Sequence, residues 1–163
     1  MSLGSQGISG KWAIWRQSSG QSSTDALANW AARTRAEVAW EATTIRLVDN
    51  SVVHTVIPRL TCIKCHPLAN TYGETLILSC SDQSQIEVSL EKAVEEWNTS
   101  NRNNCKLLGY FPHINGSEVS IMVCYRLEKV LIQDCWGSGG SLREAKATAA
   151  MKLLSSGHCM VQL

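Results

Sequence analysis

Several features are scarce in this chain of 163 residues. Net charge is one: 15 Lys+Arg stand against 14 Asp+Glu, a formal +1. No global field draws such a chain to nucleic acid or membrane, so polyanion binding has to come from a local patch. No apolar run is long enough for a membrane span, and the start lacks a charged segment followed by an apolar stretch. No Gly-x4-Gly-Lys-Ser/Thr phosphate loop occurs. Acidic residues of the first half are scattered (Asp25, Glu37, Glu41, Asp49, Glu74 and Asp82), and so are His54, His66, His113 and His158. A catalytic site needs a nucleophile, base and orienter, or paired carboxylates in a cleft. Lone acids and histidines are more often structural or solvated. These absences predict a protein that is not an enzyme and that engages no membrane.

What is present is enough for a core: 44% of the residues are hydrophobic. The length fits one domain or two small ones. Seven cysteines, an odd number without a leader, point to an intracellular, reduced setting, nucleus or cytoplasm. Most of them read as small buried apolar residues. Trp12, Trp15, Trp30 and Trp40 crowd the first 40 residues. They read as core or partner-interface anchors, with base stacking as a further use.

Along the chain, Thr24 or Ser23 can cap a helix over roughly residues 25–40, with Leu27, Trp30, Ala31 and Val38 near one face. Two β-branched runs then flank Asp49-Asn50, a hairpin signal. TLILSC (75–80) reads as another strand. The polar stretch SDQSQ (81–85) is the best boundary, so the expected domains are 1–82 and 83–163. Beyond it, Leu90, Ala93, Val94 and Trp97 recur at helical spacing. Strand-like runs follow at 105–111, 118–126 and 129–136, with HINGS between the first two and a tight link at Leu127-Glu128. A last helix covers about 142–155. The second half therefore reads α-β-β-β-α, an antiparallel sheet with both helices on one face.

The last helix is introduced by GSGGSLREAKATAAMKLL (137–154). Ser141 and Glu144 form a capping box. Ala145, Ala149, Ala150 and Leu153 offer a small-residue face that can lie close on a sheet. Arg143 and Lys146, three apart, project from one side near the positive end of the helix dipole, which suits a phosphate. A well-capped amphipathic helix with solvated charges is the plain reading of the same residues.

In this order of elements, the segment resembles the double-stranded-RNA-binding domain (dsRBD) family over about residues 84–157. Gly137, Gly139, Ser141, Arg143, Ala145, Lys146, Ala149 and Ala150 fall on that family's second-helix positions. Leu142 stands where the first lysine of its basic triplet is expected, and Arg143 replaces the second. Pro112-His113 matches the family's proline-histidine loop between the first two strands. The first helix, with Glu91, Lys92, Glu95 and Glu96, matches poorly. The resemblance implies a shape-reading module. Arg143 and Lys146, with Ser141, would hold phosphates across the major groove, and His113 beside Pro112 would meet 2′-hydroxyls or base edges in a minor groove. Residues 83–163 hold eight Lys+Arg and eight Asp+Glu. Phosphate contacts dominate nucleic-acid affinity, so a neutral module with a shortened triplet should bind weakly.

A second motif is Cys62-x2-Cys65 with His66 and, further on, Cys80. Cys-x2-Cys is one half of many tetrahedral zinc sites, because a short turn aims two thiolates at one ion. The other half is weak here. The set is a candidate for one structural zinc ion, against a plain pair of cysteines at a strand end.

The expected fold is α+β: a dsRBD-like α-β-β-β-α unit after an N-terminal helix and small antiparallel sheet. The expected function is non-catalytic binding of structured or double-stranded RNA, within a larger RNA-processing protein. The alternative is a protein–protein or dimerisation module in an RNA-processing complex, since domains of this fold also join subunits.

Overall fold

A computed structural model of the chain describes residues 12–68 and 105–163, and between them Thr75, Ile77–Ser79, Ser84, Glu87, Val88, Glu91, Lys92 and Glu95. The described chain is α+β. Its elements are β1 (Trp12–Ile14), α1 (Ser23–Thr34), β2 (Glu37–Arg46), β3 (Val52–Pro67), β4 (Ile77–Ser79), β5 (Cys105–Asn115), β6 (Glu118–Leu131), a 3₁₀ turn (Gln133–Cys135), β7 (Gly137–Gly139), α2 (Leu142–Ser156) and β8 (Met160–Gln162). No helix among the described residues is long and apolar enough to cross a membrane.

The chain divides into two compact units. One holds Ile63–Arg126; the other holds Trp12–Cys62 and Leu127–Leu163. This differs from the boundary expected at 82/83. The polar stretch there does break the chain's pattern, but β3 and β6 each run through a boundary without a break, at Cys62/Ile63 and Arg126/Leu127. Composition shifts mark loops; they do not show where a long strand changes its neighbours.

The discontinuous unit begins with α1. Ser22, not Ser23 or Thr24, is its N-cap and accepts a hydrogen bond from the Asp25 amide. The helix is shorter than expected. Arg35 takes the left-handed conformation (φ 58°) as the C-cap, and its amide donates to the Ala31 carbonyl. Val38 and Trp40 therefore lie on β2 rather than on the helix. The expected hairpin at Asp49-Asn50 forms: β2 and β3 pair antiparallel from Glu37↔Thr61 to Arg46↔Val52, and Asn50 takes φ 67° in the turn. The Asp49 carboxylate accepts from the Ser51 amide and hydroxyl, which holds its pKa below the ordinary value. β7 pairs with the start of β3, Val56 opposite Gly137. β8 pairs with β1.

Helices α1 and α2 pack on each other, and α2 lies on β7. Val56, Ala145 and Ala149 form a buried cluster with Trp40 packed against it. Ala26, Leu27, Trp30, Leu60, Ala150 and Leu153 are buried as well. The alanines bring the helix backbone close to the strands, which is what a small-residue face permits.

The continuous unit has its core in Leu78, Val119 and Ile121, joined by Leu68 and Tyr110. β4 pairs with β6, Leu78 opposite Val119, and β5 also pairs with β6. The helical residues described between β4 and β5 are Ser84, Glu87, Val88, Glu91, Lys92 and Glu95. Leu90, Ala93, Val94 and Trp97, the expected inner face of that helix, lie outside the described residues.

The tight link expected at Leu127-Glu128 does not exist. β6 is one strand from Glu118 to Leu131. Lys129 takes a left-handed backbone conformation (φ 52°), a local kink of the kind bulges make within a strand. Two side chains hold it: the Lys129 amide donates to Thr61 Oγ1 and its carbonyl accepts from the Arg59 guanidinium. A kinked strand and a two-residue turn look alike in sequence, because both interrupt the alternation at one point.

Candidate nucleic-acid interface

The start of α2 is built as its sequence dictates. The Glu144 amide donates to Ser141 Oγ at 3.1 Å. The Glu144 carboxylate reaches back and accepts from the Gly140 amide at 3.0 Å. The Ser141 half of the capping box is present, and the returning Glu144 carboxylate takes the amide one residue before the N-cap instead of that of Ser141. Replacing Ser141 with Ala should cost about 1 kcal/mol. Thermal unfolding checks this, and a variant as stable as the parent would show that the cap adds nothing.

The glycines before the helix have a packing role. A Cβ on Gly137 would lie 2.3 Å from the Ala145 carbonyl oxygen and 2.6 Å from the Ala149 amide nitrogen. One on Gly139 would lie 2.6 Å from Glu144 Cβ. These glycines let β7 and α2 touch, so they do not by themselves signal a phosphate cradle.

Arg143 is exposed and Lys146 half-buried in the first turns of α2. Further along, the Lys152 ammonium sits 4.2 Å from the centre of the Trp136 ring. A carboxylate already occupies the Gly140 side of the helix start, so an approaching phosphate would be met by the Arg143 and Lys146 side chains. Leu142, where a lysine was expected, is exposed.

Pro112 and His113 are not in a loop. They lie within β5, in the other unit, and the turn that follows is Gly116-Ser117. The strand outruns its expected end at residue 111 and carries both residues into the ladder. The loop of the discontinuous unit that follows α1 and one strand is the turn at Asp49-Asn50. Its neighbours Ile45, Leu47 and Val48 are exposed.

Cys62 and Cys65 lie on one unbroken strand, β3, and not on a turn. Residues three apart on a strand face opposite ways, so a Cys-x2-Cys placed here cannot aim both thiols at one ion. His66 is exposed, and its Nε2 lies 3.1 Å from the Tyr125 hydroxyl with the rings edge-on. Cys80 lies outside the described residues. Among the described cysteines, Cys62, Cys65, Cys124, Cys135 and Cys159 are buried, and Cys105 is partly so.

Cys65 and Cys124 share a hydrogen bond in the core of the continuous unit. Donation to Cys65, with burial, pushes the Cys124 thiol well above its ordinary pKa, while accepting that bond holds the Cys65 thiol below its own, so the folded pair gives up one proton and keeps the other. The folded chain therefore keeps a proton there that the unfolded chain releases above about pH 8.5. Stability from this group is complete below that pH and falls as pH rises, by at most about 1.4 kcal/mol per pH unit. Thermal melts between pH 7 and 10 should show a steeper loss for the parent than for Cys65→Val/Cys124→Val, which removes both thiols. Equal slopes would contradict the assignment.

Trp12 and Trp15 are half-buried, and their indole N–H groups are shielded from solvent without a hydrogen-bond partner. Trp30 is a core residue. An open groove of about 390 Å³ runs beside β1, lined by Trp15, Arg16, Met151 and Leu154 among others. None of the expected site residues lines it. A grouping the sequence reading missed is Asp134, Cys135 and His158, whose ligand atoms all lie within 4.8 Å of one another. Its only local signal is the Asp-Cys pair, since His158 is far along the chain.

Comparison of the chain with protein-family models, curated proteins and solved structures gives no match in any of the three.

Proposed function

We propose that the discontinuous unit is a non-catalytic module that binds structured or double-stranded RNA, resembling the dsRBD family and working within a larger RNA-processing protein. The supporting observation is the order of its elements. α1, β2, β3, the end of β6 with β7, and α2 follow in that order, which gives α-β-β-β-α when the end of β6 and β7, parted by the 3₁₀ turn, count as one interrupted strand, and the two helices are in contact. The helix of this unit that pairs with α2 is Ser23–Thr34. The resemblance in the α2 segment is kept and its partners change.

The charge balance improves with this assignment. The discontinuous unit has nine Lys+Arg against seven Asp+Glu, where residues 83–163 were neutral. Arg143 and Lys146 hold phosphates, and the Asp49-Asn50 turn takes the position of the minor-groove loop. The nucleus or cytoplasm is the compartment this reading implies.

A protein partner is the second reading, and one observation favours it. The hairpin flanking that turn exposes Ile45, Leu47 and Val48, an apolar surface poorly suited to a groove of hydroxyls and phosphates.

The test is titration of the full chain with a duplex of about 20 base pairs, longer than the roughly 16-base-pair span of such domains. Binding at low salt should weaken by about 0.7 to 0.9 log units per tenfold salt for each phosphate contact. Arg143→Ala/Lys146→Ala should weaken it by roughly tenfold or more and flatten that slope. No binding at low salt, or binding indifferent to the double variant, rejects the RNA reading. Retained capture of a protein partner that Leu47→Ser/Val48→Ser abolishes would then support the second.

A further inference from the structure

We propose that Asp134, Cys135 and His158 form a zinc site that ties the turn after β6 to the segment leaving α2. Asp134 and Cys135 belong to the 3₁₀ turn Gln133–Cys135. His158 follows Gly157, the left-handed C-cap of α2 (φ 84°). The chain can bend back there because glycine adopts that conformation at no steric cost. The bend carries His158 to the turn. Its Nε2 lies 3.8 Å from Asp134 Oδ2, and the three ligand atoms are all within 4.8 Å of one another.

The separations suit the ion. Zinc bonds of about 2.0 Å to nitrogen or oxygen and 2.3 Å to sulfur place tetrahedral ligands roughly 3.3 to 3.7 Å apart. The observed group is wider by about an ångström at most, within reach of side-chain rotation. The donor set is selective as well. A thiolate with an imidazole disfavours magnesium and calcium, which take oxygen ligands, and one thiolate among harder donors is a poor match for copper(I). Burial is graded across the site. Cys135 is 1% exposed, while the side chains of His158 and Asp134 are 21% and 74% exposed. The ion would enter from the Asp134 side, and a water would complete its fourth position there.

Binding requires Cys135 as thiolate and His158 neutral, so uptake near neutral pH releases the thiol proton to solvent. The ion's role is structural. Just after His158, the Cys159 carbonyl accepts from the Trp15 amide, and β8 pairs with β1. Fixing His158 therefore fixes the attachment of both terminal strands to the α2 unit. This site is independent of the RNA reading and of the Cys62, Cys65, His66 and Cys80 set.

The test uses the full reduced chain, stripped with chelator and titrated with cobalt(II), then zinc. One equivalent of cobalt should give a thiolate charge-transfer band and the intense visible bands of a tetrahedral ion, both displaced by zinc. Cys135→Ser should abolish the charge-transfer band. His158→Ala and Asp134→Asn, at side chains that are themselves not fully buried, should each weaken cobalt binding by at least tenfold. Cys62→Ser/Cys65→Ser should leave the spectrum intact. Absence of the bands overturns the proposal, as does their survival in His158→Ala and Asp134→Asn. Bands lost only in Cys62→Ser/Cys65→Ser would overturn it too, by placing the ion at β3.

Discussion

Gly137→Ala should unfold or grossly loosen the unit that carries α2, with a loss of about 3 kcal/mol or more. The added methyl would lie 2.3 Å from the Ala145 carbonyl oxygen and 2.6 Å from the Ala149 nitrogen. Both are backbone atoms of a regular helix, so no side chain can swing aside. The helix has to lift off β7 by about an ångström. That opens the cluster of Val56, Ala145 and Ala149, where close packing leaves no slack. For a chain of this size the melting temperature should fall by roughly 6 to 12 °C. Gly140→Ala is the control, because its nearest neighbour is a Glu144 carboxylate oxygen at 3.7 Å. If the two variants melted together, the close approach of β7 and α2 would be wrong. Loss of RNA binding in Gly137→Ala would follow from unfolding and would carry no information about phosphate contacts.

Trp30→Ala should be comparably severe, at about 3 to 5 kcal/mol. The ring is fully buried on the inner face of α1. Its indole Nε1–H donates to the Met160 carbonyl at 2.9 Å, so one side chain both fills the core and anchors β8. Trp30→Phe separates these contributions. It keeps most of the apolar volume but leaves the carbonyl without its donor, at a cost of about 1 to 3 kcal/mol. Amide exchange should then quicken at Trp12–Ile14 and Met160–Gln162, the paired strands beyond that bond. Unchanged exchange there in Trp30→Phe would show that β8 is held without the indole.

The local grammar of this chain was legible. Ser141 and Glu144 announced a capping box; Ser141 caps the helix as expected, and the Glu144 carboxylate closes on the neighbouring Gly140 amide. Asp49-Asn50 between β-branched runs announced a hairpin, and β2 pairs with β3 around it. The small-residue face of α2 announced close packing, and Ala145, Ala149 and Ala150 are fully buried. Each of these signals is contained within a few neighbouring residues, where backbone geometry and short side chains decide the outcome.

The long-range partnerships were not legible. Two helical patterns were available to pair with α2, and the nearer in sequence was the natural choice. The structure packs α1 on α2, and residues 63–126, which separate the two segments of that unit in the sequence, form a compact unit of their own. An amphipathic pattern states that a face is buried and not what buries it. The candidate site changed for the same reason. Pro112 and His113 lie on a strand and not in a loop because β5 runs on past Phe111, and the Cys-x2-Cys lost its turn because β3 runs unbroken through it. Asp134, Cys135 and His158 entered only because Gly157 turns the chain back at the end of α2. By itself the sequence determined the N-cap of α2, the hairpin, the small-residue face and the weakly basic start of α2, since these rest on contacts a few residues long. Tertiary structure alone decided which helix joins α2 and which ligand atoms converge, since those depend on strands and turns that bring distant residues together.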